Sequence, residues 1–338
     1  MNTKLVSLLA GALLIAGAAN AQKITNQKVG NGLYELVYNE ADNSVYVASA
    51  GSRTKPGGFL YKLDAGTLAV KDSIALTDTP PFGLGLNKKT QTLYTTNTRT
   101  NSVSAVDIKT KKVLATIKPD AEKSHTREAV ADEKNNKIYI SDVGRPSKIW
   151  VIDGKTQKLE KTIENTGTST TGMVIDEKEQ KLYATNMGTS KIVVVDLKTA
   201  TVVDSFATGG EASINLALDK ANNRLFVVSQ KSNDVTVVDL KTKAVVKTLP
   251  AGKGALGIAF DEKRNRLYTA NRGDATVTVI DTKTLTVLDN IKTGGTFPNT
   301  IVLNKNDGSV YVTNKGQGKR DEPTYVDPNG DVVTHIKF

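Results

Sequence analysis

A repeated segment of about 43 residues is the feature that most restricts what this chain can fold into. In the copies that start at Leu86, Ile175 and Phe260, an apolar residue precedes an Asp or Asn, and a polar turn follows. An apolar residue, an aromatic residue and, three positions later, a small residue or Asn complete the frame. The aromatic residue recurs seven times, at intervals of 42 to 48 residues: Tyr46, Tyr94, Tyr139, Tyr183, Phe226, Tyr268 and Tyr311. An internal period of this length indicates a repeat architecture.

An Asp that closes an apolar run is a second marker of the repeat, and it also counts seven. We assign it to Asp64, Asp107, Asp153, Asp196, Asp239, Asp281 and Asp327. Five of these are followed by a turn that contains Lys-Thr. Two markers that were found separately therefore agree on seven units.

The apolar pattern inside one unit indicates strands. The fifth unit has four short apolar runs, at Asn215–Leu218, Leu225–Val228, Val235–Val238 and Ala244–Leu249, separated by polar turns. Short runs rich in Val, Thr and Tyr are typical of strands, and no segment offers a helical apolar stripe of three turns. We predict an all-β fold, a seven-bladed β-propeller with four antiparallel strands per blade.

The sequence leaves the closure of the ring open. The last unit holds an apparent fourth strand of its own, Val332–Phe338, but Lys23–Val29 also has the pattern of a fourth strand. Either one of them is the outer strand of the closing blade, or both lie side by side.

The N-terminus has the layout of a secretory signal peptide. A positive start at Met1–Lys4 precedes a mostly apolar run, and Ala19-Asn20-Ala21 is an A-x-A cleavage pattern. The apolar run is shorter than the about 20 residues that cross a bilayer, and we expect no membrane span. We predict cleavage after Ala21, a single propeller domain over residues 22–338, and a periplasmic or secreted location. A retained N-terminal anchor is the alternative.

Composition excludes several kinds of chemistry. The chain has no Cys, which removes thiolate metal sites, iron–sulfur clusters and thiol catalysis. It has two His residues, His125 and His335, far apart in the sequence. No Gly-x-Ser-x-Gly elbow and no phosphate-binding Gly-x-x-x-x-Gly-Lys-Thr motif is present. We therefore expect a binding protein without a cofactor, and not an enzyme.

The repeats resemble the YVTN family of β-propeller repeats. The residues that carry the resemblance are Leu93–Asn97, Leu182–Asn186, Leu267–Asn271 and Val310–Asn314, the last of which contains Tyr-Val-Thr-Asn itself. A signal peptide followed by seven such repeats is similar to the YncE type of bacterial periplasmic protein. The resemblance covers Gln22 to Phe338, and it implies the fold more strongly than a function. It also implies an association with DNA, and, because some lactonases share such repeats, a lactonase-like hydrolase as the enzymatic alternative.

Candidate binding residues come from aligning the units on the residue that ends the first strand. The positions five residues upstream should line the mouth of the central channel: Tyr34, Phe82, Arg127, Thr171, Ile214, Leu256 and Asn299. The third unit departs from the pattern, because it places His125, Arg127 and Glu128 where most units have small or apolar residues. An ion pair of Arg127 with Glu128 or with Glu35 is the alternative interpretation of that departure.

The loops on the same face carry many cations, among them Lys315. Arginine suits phosphate and carboxylate, because its planar fork donates to two oxygens at once. Aromatic side chains at the mouth could stack on a base or a sugar. We predict these ligand-binding residues: Tyr34, Phe82, Arg99, His125, Arg127, Glu128, Arg145 and Arg272. Acidic residues in the same loops leave ordinary solvated loops as the alternative.

Net charge of +10 at pH 7 favours an anionic partner. The leading hypothesis is a non-enzymatic protein that binds a polyanion such as single-stranded DNA on its loop face. A protein-interaction or cell-surface scaffold is the second hypothesis. A lactonase-like hydrolase with a divalent ion in the channel is the third. We expect a monomer.

Overall fold

The computed structural model describes most of the chain. The described residues are 22–52, 57–119, 124–319, 321–322 and 324–338. The predicted signal peptide, residues 1–21, lies outside the described residues.

The described chain forms seven sheets of four antiparallel strands each. The first strands of the blades are β2 (Leu33–Asn39), β6 (Gly83–Asn87), β10 (Thr126–Asp132), β14 (Thr170–Asp176), β18 (Ser213–Asp219), β22 (Ala255–Asp261) and β26 (Pro298–Leu303). The second strands are β3 (Ser44–Ser49), β7 (Thr92–Asn97), β11 (Lys137–Asp142), β15 (Lys181–Asn186), β19 (Arg224–Ser229), β23 (Arg266–Asn271) and β27 (Val310–Asn314).

The third strands are β4 (Phe59–Asp64), β8 (Ser102–Asp107), β12 (Lys148–Asp153), β16 (Lys191–Asp196), β20 (Asp234–Asp239), β24 (Thr276–Asp281) and β28 (Val332–Lys337). The outermost strands are β5 (Val70–Ala75), β9 (Lys112–Ile117), β13 (Lys158–Ile163), β17 (Thr201–Ala207), β21 (Val245–Pro250), β25 (Thr286–Lys292) and β1 (Lys23–Lys28).

The first strands close a ring. Each one contacts the first strand of the next blade, and β26 returns to contact β2. No helix occurs in any of the described ranges. The prediction of an all-β, seven-bladed propeller with four antiparallel strands per blade is therefore confirmed.

The N-terminal strand closes the seventh blade. Its order is β26, β27, β28, β1, and the pairing of β1 with β28 runs from Lys23 opposite Lys337 to Lys28 opposite Val332. Val332–Lys337 is thus the third strand and Lys23–Lys28 the outermost one, so the two lie side by side, as one of the open alternatives had it, and the interpretation of Val332–Phe338 as a fourth strand was wrong. The marker at Asp327 was wrong for the same reason, because Asp327 lies in the long connection between β27 and β28 and ends no strand. That connection is rich in Gly and Pro, which do not support a strand.

The repeated aromatic residue joins neighbouring blades. Its ring is buried in the apolar layer between two sheets, and Tyr and Trp that are buried usually find a hydrogen-bond partner. Tyr94 Oη donates to Gln157 Oε1 at 2.8 Å, and Tyr311 Oη donates to the carbonyl of Ala65 at 2.8 Å. Each of these contacts reaches into the next blade around the ring.

The Thr that precedes Asn in the motif also joins blades. Thr96 Oγ1 donates to the carbonyl of Arg127 at 2.8 Å, and Thr313 Oγ1 donates to the carbonyl of Tyr34 at 2.8 Å. Thr185 makes the same bond to Ile214 at 2.9 Å. In each case the acceptor is the residue five positions before the end of the next first strand. The motif therefore fixes the backbone of the residues that surround the channel mouth.

Candidate functional site

The channel mouth is formed where the first strand of each blade begins and the second strand ends. Antiparallel pairing places these two ends side by side, as in the pairs Leu33–Ser49 and Pro298–Asn314. Six side chains from five blades meet there. We refer to them as the mouth cluster: Tyr34, Phe82, Arg99, Arg127, Arg272 and Lys315.

Tyr34 is at the centre of the mouth cluster. Arg127 Nη1 donates a hydrogen bond to Tyr34 Oη, and Lys315 Nζ lies 4.6 Å from the centroid of the Tyr34 ring. Phe82 packs edge to face against the same ring, with centroids 5.2 Å apart. Burial acts to raise the pKa of Tyr34, but the charges of Arg127 and Lys315 outweigh it, so the pKa is below its usual value. The ring thus holds cations around itself.

The seventh blade holds the backbone of Tyr34 in place. The carbonyl of Tyr34 accepts hydrogen bonds from Thr313 Oγ1 at 2.8 Å, from Asn299 Nδ2 at 3.0 Å and from Thr300 Oγ1 at 3.2 Å. A carbonyl with several donors from a neighbouring blade leaves little freedom to the residue that carries it. The centre of the mouth cluster is therefore rigidly placed.

Arg99 approaches the cluster from the second blade. Its guanidinium carbon lies 5.1 Å from the centroid of Phe82. Nη1 donates to the carbonyl of Ala50 at 2.8 Å, and Nη2 donates to the carbonyl of Gly51 at 3.0 Å. These acceptors are neutral, so they orient the side chain and leave its charge uncompensated.

Arg272 and Lys315 are the remaining two cations of the mouth cluster. Arg272 Nη2 donates to Asn299 Oδ1, while Arg272 Nε is buried without a hydrogen-bond partner. Burial lowers the pKa of Arg272. Burial also lowers the pKa of Lys315, and the nearby charges of Arg272, Arg127 and Arg99 lower it further. The four cations therefore repel one another at close range.

The cations of the mouth cluster are not in salt-bridge contact with any carboxylate of the described residues. Within the described ranges, none of the four forms a salt bridge, whereas Lys62 pairs with Asp42 at 2.8 Å and Lys137 with Asp153 at 2.6 Å elsewhere. Arg127 thus forms no direct salt bridge with Glu128 or Glu35, although the charges of both carboxyls act on it from a longer distance. Clustered positive charge without a salt-bridge partner attracts an anion.

Glu35 and Glu128 each follow a mouth residue by one position in the first strands. Glu35 Oε2 accepts a hydrogen bond from the backbone N–H of Leu84 at 3.0 Å. Burial and the neighbouring Glu128 raise the pKa of Glu35 well above its usual value, and burial raises the pKa of Glu128 to about 7. Two carboxylates in a shared, poorly solvated site cannot both ionise easily. The pair thus carries less than its full negative charge near neutral pH.

The remaining predicted residues differ in position. His125 lies at the rim, where the partial burial of its ring and the charge of Arg127 lower its pKa. Its backbone N–H donates to Asp142 Oδ1 at 2.8 Å. Arg145 is exposed, and no hydrogen bond or ring contact joins it to the mouth cluster. The fold therefore brings together Tyr34, Phe82, Arg99, Arg127 and Arg272, with Glu128 next in the chain after Arg127 and His125 at the rim.

Sequence reasoning did not assign Lys315 to the site. Arg272 and Lys315 occupy the same position in the repeat, directly after the last residue of the second strand. An alignment of the units on that position, in addition to the first strand, would have grouped Lys315 with Arg272, which was predicted. Asn299 was aligned at the mouth, but its role in holding Tyr34 depends on contacts between blades.

A pocket of about 240 Å³ opens beside the mouth cluster. Tyr34, Arg127 and Arg272 line one side of it, and His125 lies at its rim. The rest of the lining is uncharged: Val143, Met187, Ile214 and Leu256 are apolar, and Ser169, Thr171 and Gln230 are polar. The pocket thus has a cationic wall and an apolar wall.

The described residues lack two other features that would indicate a function. They contain no group of three or more His, Asp and Glu side chains placed to hold a metal ion. They contain no helix long and apolar enough to cross a membrane.

Comparison with known proteins agrees with the geometry of the ring. A family model described as a YNCE-like beta-propeller matches residues 32–266. The protein YncE of Salmonella typhi is 42% identical over 191 residues, which are 53% of this chain and 54% of the relative. YncE of Escherichia coli strain K12 is 39% identical over the same length and shares. The chain thus spans about half the length of the curated relatives it matches.

A solved structure supports the fold at lower identity. A chain of Kuenenia stuttgartiensis hydrazine synthase superposes with a TM-score of 0.72 at 19% identity, covering 84% of this chain and 93% of that one. A sequence identity this low supports a shared fold and nothing more.

Proposed function

The chain belongs to the YncE-like β-propeller family, and from that premise we propose that it is a non-enzymatic binding protein which holds a polyanion, such as single-stranded DNA, at its channel mouth. The observation that carries the proposal is the group of four cations, Arg99, Arg127, Arg272 and Lys315, none of which forms a salt bridge with a described residue. An anion bound there would relieve their mutual repulsion, and their donors would be satisfied by its oxygens.

The aromatic side chains have a supporting role in this proposal. The Tyr34 ring is in contact with Phe82 on one side and with Lys315, and its hydroxyl is bonded to Arg127. We infer that the rings position the cations, and that phosphate contacts supply most of the affinity. Binding should then depend little on base sequence and strongly on salt.

Location is part of the same proposal. Cleavage after Ala21 would release the propeller into the periplasm or the medium, where it would act as a monomer. Extracellular nucleic acid and other polyanions would be accessible to it there.

The test is fluorescence anisotropy of a labelled single-stranded oligonucleotide, titrated with the mature protein at two salt concentrations. We expect affinity to fall with salt, and a double variant Arg99→Gln, Lys315→Gln to bind more weakly. Each lost phosphate contact should reduce the slope of log affinity against log salt by about 0.7. Both side chains reach the surface and neither belongs to the apolar core, so their loss should leave the fold intact.

The matched control is a change of equal charge on the opposite face. Lys198→Gln, Lys241→Gln removes two exposed cations of the Lys-Thr turns between third and fourth strands. It should bind as the parent protein does. Equal weakening in both double variants, or no binding at low salt, would contradict the proposal and favour the protein-interaction scaffold. Turnover of a lactone panel would instead favour the lactonase-like hydrolase.

A further inference from the structure

The pocket beside the mouth cluster has walls of opposite character. Its cationic wall is formed by Arg127 and Arg272, together with the hydroxyl of Tyr34. Its apolar wall is formed by Met187, Ile214 and their neighbours. The two walls face one volume of about 240 Å³, which suits a small molecule and not a macromolecular segment of any length.

The apolar wall has no use in binding a phosphate backbone. The fourth and fifth blades contribute Thr171, Met187, Ile214 and Gln230 to the pocket, and none of these side chains is charged. A strand that runs across the mouth would be held better by cations on both sides. Apolar surface beside a cation instead fits a ligand that carries an apolar group next to its charge.

Arg272 gives a second and separate indication that the pocket binds an anion. Its Nη2 is bonded to Asn299, but its Nε is buried and has no partner. A buried donor without a partner costs free energy, and groups of this kind in native proteins often await a ligand or an ordered water. An anion between Arg127 and Arg272 would be close to this donor.

We propose that the pocket binds a small amphipathic anion, a phosphate monoester or carboxylate that bears one compact apolar or aromatic group. The anionic group lies between Arg127 and Arg272, and the apolar group lies against Met187, Ile214 and Leu256. The inference rests on the proposed function in that Arg127 and Arg272 serve both ligands. It adds a second ligand class, which competes with the polyanion for the mouth.

Isothermal titration calorimetry with three probes tests the inference: phenyl phosphate, inorganic phosphate and phenol. We expect phenyl phosphate to bind about tenfold more tightly than inorganic phosphate, because a fitting apolar group in a hydrophobic pocket strengthens binding by at least that factor. Phenol lacks the charge and should bind more weakly than phenyl phosphate. Equal affinity for phenyl phosphate and inorganic phosphate would overturn the inference.

Variants of the apolar wall make the test specific. Met187→Glu places a carboxylate beside the cationic wall and should weaken phenyl phosphate binding about tenfold or more. Met187→Leu conserves volume and apolar character, so it should bind as the parent protein does. Gln230→Glu is a second, half-buried position with the same expectation as Met187→Glu, should that variant fail to fold. Unchanged affinity in a folded Glu variant would overturn the inference.

Competition with the labelled oligonucleotide separates the two proposals. Displacement of the oligonucleotide by phenyl phosphate supports both. An oligonucleotide that binds while phenyl phosphate binds no better than inorganic phosphate overturns the pocket and leaves the proposed function standing. Tight phenyl phosphate binding without oligonucleotide binding supports the pocket and ends the polyanion proposal.

Discussion

Glu128 shows how a single side chain at the mouth links stability to pH. Its pKa is raised from the ordinary value of 4.5 to about 7, mainly by burial. The native state therefore binds more protons than the unfolded state between these values, and stability is lost as pH rises through that window. The neutral form predominates in the native state below about pH 7, and its full contribution to stability is present below the ordinary pKa of 4.5.

We expect Glu128→Gln to raise the free energy of unfolding at pH 8 by about 1 kcal/mol and to change it little at pH 5. The amide keeps the shape of the protonated acid and removes repulsion with Glu35. Urea unfolding at the two pH values measures the effect. Glu262→Gln, an exposed position on the opposite face, is the control. A variant that is less stable than the parent at pH 8 would show that Arg127 needs this carboxylate.

The contribution of individual residues was only partly predictable from the sequence. Arg127 stood out because it breaks a repeat, and its placement at the mouth follows from its position in the first strand. The bond from Arg127 to Tyr34 was not predictable, because it joins the third blade to the first and depends on the reach of two side chains. Arg145 shares a residue type and a loop face with Arg99, yet only Arg99 reaches an aromatic ring and backbone carbonyls.

At the scale of elements, the Thr that precedes Asn in the repeated motif links its second strand to the next blade by a hydrogen bond. We expect Thr313→Val to lower the free energy of unfolding by about 1–2 kcal/mol, because the near-isosteric change removes the hydrogen bond to the Tyr34 carbonyl and the one that Thr313 Oγ1 accepts from the N–H of Thr300. Thr248→Val, at an exposed position on an outermost strand, should have a far smaller effect. Thermal or urea unfolding measures both. Equal effects at the two positions would show that the bond between blades adds nothing beyond the general cost of the substitution.

The outermost strand of the seventh blade, β1, allows a sharper test of how pairing between strands closes the ring, because only one of its two edges is paired. Val29 N–H donates to the carbonyl of Asp331, and hydrogen-bonded pairs alternate along an antiparallel ladder. The N–H of Thr25 therefore faces β28, whereas that of Ile24 faces outward. We expect Thr25→Pro to lower the free energy of unfolding by about 1–3 kcal/mol more than Ile24→Pro. Equal losses would mean that β1 contributes little to closing the ring.

Strands were predictable where the repeat is regular, and the prediction failed where the repeat ends. In most units the first, second and third strands can be predicted from the period of the repeat and from the apolar runs. Val332–Lys337 and Lys23–Lys28 have the same strand pattern, and only pairing shows which is inner and which is outer. The apolar run before Asp327 is short and lies in a Gly- and Pro-rich connection, so a marker based on composition alone was misleading there.

At the scale of the whole molecule, a nearly sevenfold scaffold carries a site without sevenfold symmetry. The position directly after the second strand shows this asymmetry. In blade order it holds Ala50, Thr98, Val143, Met187, Gln230, Arg272 and Lys315. Two of the seven are cations, and they are neighbours in the ring. The scaffold fixes where these side chains emerge, while the residue types decide which part of the mouth attracts an anion.

This asymmetry predicts that charge added to the neutral side of the mouth will extend the site. Gln230 is half-buried, occupies the same repeat position as Arg272 and lies one blade before it. We expect Gln230→Arg to bind the labelled oligonucleotide more tightly at low salt, and to increase the slope of log affinity against log salt by about 0.7, the value for one added phosphate contact.

The comparison variant for this prediction is Ala221→Arg. Ala221 is exposed in the turn between β18 and β19, on the opposite face of the same blade. Both variants raise the net charge by one, so an effect of net charge alone would appear equally in both. A larger slope in Gln230→Arg alone means that the mouth is where the polyanion lies. Equal slopes mean that attraction is spread over the whole surface, and the uncompensated cations around Tyr34 would then need another explanation.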